Sequence, residues 1–294
     1  MKTYQSSAAL RKALSADRLQ GRRIAFVPTM GNLHEGHLQL VRRARELGQS
    51  VVVSIFVNPL QFGANEDLDN YPRTLAADKE KLFAEGVQHL FFPPVEEMYP
   101  EGMERTALVD VPELGDTLCG ANRPGHFTGV ATVVSKLFNI VQPDVAVFGR
   151  KDWQQLAVIR KMVRDLNMWV DIVGVDTARA VDGLALSSRN GYLSETERAR
   201  APALYRLLTD TRDAIACGFD DYKELERHAL QELKYAGFEP DYFAIRDAET
   251  LAAVGPQTET VAVLVAARLG QTRLIDNVTL NLNSSFDWGM LATN

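Results

Sequence analysis

The run Ile24-Ala25-Phe26-Val27-Pro28-Thr29-Met30-Gly31-Asn32-Leu33-His34-Glu35-Gly36-His37 decides how the chain is read. Four apolar residues predict a strand over 24–27, which Pro28 and Gly31 end. A helical period follows over 38–47, and a second apolar run over 51–57 completes a strand–turn–helix–strand unit. The same alternation continues. Further strands are expected over 89–92, 144–148 and 170–175, and helices over 74–84, 130–141 and 154–166. Strands that read as nearly unbroken apolar runs belong to parallel sheets covered on both faces. Right-handed crossovers then give a doubly wound α/β domain, whose ligands bind at the carboxyl ends of the strands.

The pattern changes after about residue 180. Residues 195–217 and 222–235 predict two helices, the first begun by Ser194 as N-cap, and short strands follow over 242–246, 260–267 and 272–275. A helix pair with a small antiparallel sheet makes a second, smaller α+β domain. The expected division is 1–178 and 179–294, with the second domain closing over the active site of the first.

The 294 residues are 46% hydrophobic and 24% charged, which excludes collagen-like, low-complexity and disordered classes. A chain of this length buries roughly 75% of its unfolded surface and usually divides into two cores. Lys and Arg number 32 against 38 Asp and Glu, a net charge of −6, so no nucleic-acid partner is expected. The longest apolar runs, 51–57 and 261–267, hold seven residues, against about 20 for a membrane span. With no apolar stretch after Lys2 and two cysteines, Cys119 and Cys217, that match no metal or disulfide pattern, a soluble, cytoplasmic protein is expected.

Three strand ends carry unusual chemistry. In the first, His34 and His37 stand three apart where a helix begins, suited to an oxyanion such as phosphate. Zinc binding and a turn with incidental histidines are the other readings, but the spacing is not the four of the zinc motif. In the second, Phe148-Gly149-Arg150-Lys151-Asp152 precedes Trp153-Gln154-Gln155. Lys151 offers a charge to phosphate, and Asp152 either caps the helix or accepts a hydroxyl hydrogen bond; a solvated turn is the plain alternative. In the third, Leu186-Ser187-Ser188-Arg189-Asn190-Gly191 gathers donors for a triphosphate, or serves only as a polar linker. Two segments join them. The amides of Asn58 and Gln61 follow the second strand and run into an acidic stretch, 63–70, that reads as a lid. Arg123-Pro124-Gly125-His126-Phe127 forms a turn able to face an anion, and ordinary loop chemistry is the plainer reading of each of these two segments.

Together these strings resemble the pantothenate synthetase (pantoate–β-alanine ligase) family, over residues 20 to 195 and in the family's order. His-x-Gly-His alone would point only to the wider nucleotidyltransferase and class I tRNA-synthetase superfamily. The resemblance implies a Rossmann-like N-terminal domain, a homodimer, and ATP-dependent condensation of pantoate with β-alanine, assisted by Mg²⁺. Pantoate attacks the α-phosphate of ATP, pyrophosphate leaves, and the β-alanine amine then displaces AMP from pantoyl adenylate. It further implies that Met30, Gly31, Asn32, Leu33, His34, Glu35, Gly36 and His37 line the ATP phosphates, with His37 as proton donor. Gly149, Arg150, Lys151 and Asp152 bind nucleotide, Ala178 lies at adenine, and Leu186, Ser187, Ser188 and Arg189 close over the triphosphate. His34, His37, Lys151, Ser187, Ser188 and Arg189 are the implied catalytic set, with no protein metal ligand. Gln61 and Gln155 hold pantoate, and Gln61 also β-alanine. One departure stands out: Arg150 replaces the family's usual glutamate, and its side chain is expected to point outward.

Overall fold

The computed structural model describes residues 1–63, 66 and 68–283. The chain divides into two compact units, one of Met1–Ala178 with Leu186–Ser188, the other of Arg179–Ala185 with Arg189–Asn294.

The first unit is built on a six-stranded sheet. Its strands are β1 (Lys2–Tyr4), β2 (Ile24–Thr29), β3 (Ser50–Ile55), β4 (His89–Phe91), β5 (Val145–Gly149) and β6 (Asp171–Val175). They run in the order β1-β4-β3-β2-β5-β6, and every pairing is parallel. The sequence predicts five of these strands. The sixth, β1, is a three-residue edge strand whose Lys-Thr-Tyr sequence carries no apolar run, so only its pairing with β4 reveals it. The helix Ser7–Leu19, also absent from the sequence reading, starts at Ser6, which accepts from the Ala9 N–H as N-cap.

Burial explains the apolar runs. Ile24, Ala25, Phe26 and Val27 are fully buried, as are all six residues of β3. Phe26, Phe138 and Phe148 pack edge to face at 6.3 and 6.4 Å between centroids, joining helix His126–Val141 to the sheet. The other layer holds Leu40, Val41 and Ala44 of helix Glu35–Leu47 against Val27, Val51 and Val53. From β2 the chain adds β3 and β4 on one side, then returns to place β5 on the other. The order reverses between β2 and β5, so their carboxyl ends form the crevice where doubly wound sheets bind ligands.

The second unit carries an antiparallel meander of β7 (Glu239–Asp247), β8 (Thr260–Leu269) and β9 (Thr272–Asn281). Its core joins Leu204, Leu208 and Leu233 from two helices to Phe243, Val263 and Val265 of the sheet. The single helix expected over 195–217 is two, Glu195–Arg200 and Ala203–Ala216. Pro202 between them has no N–H for a helical hydrogen bond, and it sits where the second helix starts. Ser194 caps the first of the pair, with Glu197 reciprocating. Among the described residues no helix is long and apolar enough to cross a membrane.

Candidate active site

Beyond β2 the chain turns through Gly31 and Asn32, both at positive φ (85° and 49°), before helix Glu35–Leu47 begins. A side chain at Gly31 would start 3.0 Å from Ile55 Cγ2 and 3.2 Å from an Asp78 carboxylate oxygen, so the turn admits only glycine. Asp78, fully buried on helix Leu75–Ala84, accepts the N–H groups of Asn32 and Leu33 at 2.9 and 2.8 Å. One turn later Lys81 Nζ donates to the Leu33 carbonyl at 2.6 Å. An internal carboxylate thus occupies the donors that a phosphate loop would usually offer. The oxyanion donors have to come from the helix start itself.

That start belongs to the histidines. His34 is the N-cap, and its Nδ1 accepts the Gly36 N–H at 3.2 Å; His37 Nδ1 accepts the His34 N–H at 3.3 Å. Each Nδ1 is therefore an acceptor, which puts each neutral ring's proton on Nε2. The rings stand 4.1 Å apart. Burial, reinforced by the Lys151 and Lys81 charges, lowers His34 to about 4. Burial first, then the neighbouring His34 and the same two lysines, lowers His37 to about 3. At neutral pH the pair presents two uncharged Nε2–H donors beside the Lys151 cation. Among the described residues neither Nε2 has a hydrogen-bond partner.

The Glu35 side chain leaves this group. It pairs with Arg42, which also binds Glu85 at 2.5 Å on the exposed side of the helix, so only the Glu35 main chain faces the turn's chemistry. At the end of β3 the two amides have separate jobs. Asn58 is buried and spent: it accepts from Tyr99 Oη at 2.7 Å and donates to Gln61 Oε1 and the Gly129 carbonyl, both at 3.1 Å. It braces Gln61, whose Nε2 reaches Met30 Sδ at 3.2 Å and so joins the ends of β2 and β3. The anion that the Arg123 turn faces is an internal carboxylate. The Arg123 guanidinium forms a two-pronged pair with Glu66 at 2.6 and 2.5 Å. Of the stretch 63–70 read as a lid, residues 64, 65 and 67 lie outside the described residues.

At the end of β5, Gly149 closes the strand and residues 150–152 form one short turn before helix Trp153–Asp165. Asp152 makes no capping hydrogen bond to that helix, which removes the capping alternative for its carboxylate. Arg150 Nη1 donates to Asp176 at 2.7 Å, just beyond the carboxyl end of β6. Gln154 is buried and structural, bound to the main chain at Leu114, Thr117 and Cys119, and Gln155 is half-buried beside it. Ala178 packs 3.5 Å from where a Gly36 side chain would start, and its carbonyl accepts the Leu186 N–H at 2.8 Å. Ser188 Oγ then donates to the Asn32 carbonyl at 3.2 Å. Met30–His37, Ala178 and Leu186–Ser188 are thus neighbours within the first unit; Arg189 begins the longer piece of the second.

Known proteins resemble this chain over nearly its whole length. The family model described as pantoate-beta-alanine ligase matches residues 2–279. The chain belongs to the pantoate–β-alanine ligase family. A pantothenate synthetase of Pseudomonas fluorescens is 59% identical over 284 residues, covering 97% of this chain and 99% of the relative. The crystal structure of a Thermus thermophilus pantothenate synthetase superposes with a TM-score of 0.88 at 49% identity, covering 95% of this chain and 99% of that one. A Francisella tularensis pantoate–β-alanine ligase, complexed with beta-gamma ATP and beta-alanine, gives 0.77 at 32% identity, over 95% and 97% of the two chains. As a member of this family the chain is an ATP-dependent ligase that condenses pantoate with β-alanine through an adenylate.

The ligase reading of the sequence missed Asp78, Lys81, Tyr99 and Gly129. None touches the strand-end strings in sequence. The available signal was an aspartate three residues before a lysine on the helix expected over 74–84, where a buried carboxylate requires partners.

Proposed function

We propose that both half-reactions run at the carboxyl ends of β2, β3 and β5, with roles divided by the kind of donor each end supplies. The observation that carries this is the pair of uncharged Nε2–H groups on His34 and His37 beside Lys151, at the reversal of the strand order. Attack of the pantoate carboxylate on the α-phosphorus builds negative charge on the equatorial oxygens and on departing pyrophosphate. Aligned donors in a desolvated site stabilise that charge more than a strong base would. His34 and His37 donate hydrogen bonds from Nε2–H to the phosphate oxygens, and both rings stay neutral as pyrophosphate leaves. Lys151, Ser187, Ser188 and Arg189 supply the remaining positive charge and hydroxyls. Asp152 accepts from ribose, Ala178 borders adenine through main-chain atoms, and Leu186 closes over the triphosphate with the residues that follow it. Gln61 and Gln155 hold the pantoate hydroxyl and carboxylate oxygens, and Gln61 orients the β-alanine amine for attack on the acyl carbon.

Mg²⁺ belongs to the same proposal. The strand ends are rich in N–H and ammonium donors, which suit phosphate oxygens and not a hard cation. Among the described residues no three His, Cys, Asp or Glu side chains gather. The ion's oxygen ligands would then be triphosphate and water, where it would neutralise phosphate charge. The homodimer and cytoplasmic setting implied by the resemblance are also proposed, and sedimentation of the pure chain tests the dimer.

The deciding experiment incubates the protein with ATP, Mg²⁺ and D-pantoate, with and without β-alanine, and follows pyrophosphate and AMP. One pyrophosphate per site before β-alanine, and AMP with pantothenate after it, is expected. Pyrophosphate that forms only once β-alanine is present would overturn the two-step assignment.

A further inference from the structure

We propose that Arg123 and His126 are positioning residues for acid binding, which hold the main chain under Gln61 through one enforced imidazole tautomer. The inference rests on Gln61 gripping pantoate and β-alanine as proposed above.

His126 is the first residue of helix His126–Val141, and its Nδ1 lies 2.9 Å from the Gln61 carbonyl oxygen. Its Nε2 lies 3.0 Å from Arg123 Nη1. A guanidinium can only donate, so Nε2 must be the acceptor and the ring's single proton sits on Nδ1, aimed at the carbonyl. Burial first, then the Arg123 charge, lowers His126 to about 4, in keeping with a neutral ring. Glu66 fixes the guanidinium by taking its Nε and Nη2 protons, which leaves Nη1 for the ring. Arg123 therefore decides which nitrogen of His126 carries the proton.

The same helical turn grips the neighbouring main chain. A side chain at Gly129 would start 2.5 Å from the Leu60 carbonyl oxygen and 2.8 Å from Gln61 Cα, so the two backbones touch directly. The Gly129 carbonyl also accepts from Asn58, the residue that holds Gln61 Oε1. Residues 58–61 are thus located by the start of one helix. The phosphate turn is held by another, through Asp78 and Lys81. Acid binding and ATP binding have separate supports, and loss of the His126 hydrogen bond should affect the first and spare the second.

His126→Ala is expected to raise KM for pantoate and for β-alanine about tenfold while KM for ATP stays within about twofold. His126→Asn places an amide N–H where Nδ1–H stands and should recover most of the loss. His126→Gln, whose amide reaches the Nε2 position, should not. Arg123→Met, which frees the tautomer, should behave like a milder His126→Ala. The Asn and Gln variants keep the inference testable if the alanine variant fails to fold. Equal KM values in His126→Asn and His126→Gln, or an increase shared equally by ATP, would overturn it. Gln61→Ala, run in parallel, separates the two levels. Unchanged acid KM values there overturn the Gln61 assignment, whereas a large rise there with none in the His126 series overturns the positioning role alone.

Discussion

The parallel sheet has a histidine cluster at each end, and the two are wired in opposite ways. At the amino ends of the strands, His89 Nε2 meets Asp17 Oδ2 at 2.8 Å and Nδ1 meets Tyr4 Oη at 3.2 Å. The same carboxylate takes Ser50 Oγ at 2.6 Å and Arg22 Nη1 at 3.1 Å. Burial alone would raise the Asp17 carboxyl; the hydrogen bonds of Ser50 and His89 and the charges of His89 and Arg22 outweigh it and hold the group below its ordinary value. Both ring nitrogens are used. At the carboxyl ends, His34 and His37 spend only Nδ1 on the backbone and keep Nε2–H for something else. A buried polar cluster closed on itself fastens strands and a helix, while one with donors left over in a desolvated site is arranged for a ligand.

The two ends should differ most at His37. His37→Ala should slow pyrophosphate release from ATP and pantoate by about 10²-fold or more, roughly 3 kcal/mol, with little change in thermal midpoint. Near-normal release would remove His37 from the adenylation step. At the opposite end the effects should exchange. Asp17→Ala leaves His89 and Ser50 buried without their acceptor, and should cost about 2–3 kcal/mol in urea unfolding. Turnover per folded molecule should hold. A variant that kept its stability but lost turnover would erase the distinction between the two ends.

Gln155→Ala should raise KM for pantoate about tenfold, near 1.4 kcal/mol, with KM for ATP little changed. Equal effects on both substrates would move Gln155 out of the acid site. The smallest effect is on pH. His34, His37 and His126 are all lowered by burial. Below pH 6.5 the unfolded chain takes up protons that the folded chain refuses, so their contribution is complete above that pH and is lost as the pH falls toward about 4. Each such histidine should account for about 0.7 kcal/mol of the stability lost between pH 7 and pH 6, given an unfolded pKa near 6.5. His126→Asn should flatten the unfolding profile by that amount, and an unchanged slope would show that His126 titrates normally in the folded protein.

The second unit was legible in outline and wrong in one joint. Ser194, with Glu197 three residues later, marks a helix start from sequence alone, because a capping box is a local arrangement. Pro202 equally marks a break, and the period on either side of it hides the break when only the apolar spacing is followed. In the first unit, β1 escaped for the opposite reason. Three residues at an edge carry too little pattern, and their membership in the sheet depends on β4, more than eighty residues away.

Within the site the same boundary recurs. Apolar runs, the glycine-punctuated turn and the His-x-Gly-His spacing are relations between chain neighbours, so the doubly wound class and the positions of the strand-end chemistry follow from the sequence by itself. The partner of each polar group is a relation in space. Arg123 reads as an anion-facing residue or as ordinary loop chemistry until Glu66 stands opposite it. Arg150 is paired across the ends of β5 and β6 because Asp176 is there to receive it. The neutral state of the two site histidines and the proton on each Nε2 require burial, Lys151, Lys81 and particular backbone donors. Those were decided only by the tertiary structure, because desolvation and hydrogen-bond partnership exist only once distant segments have met.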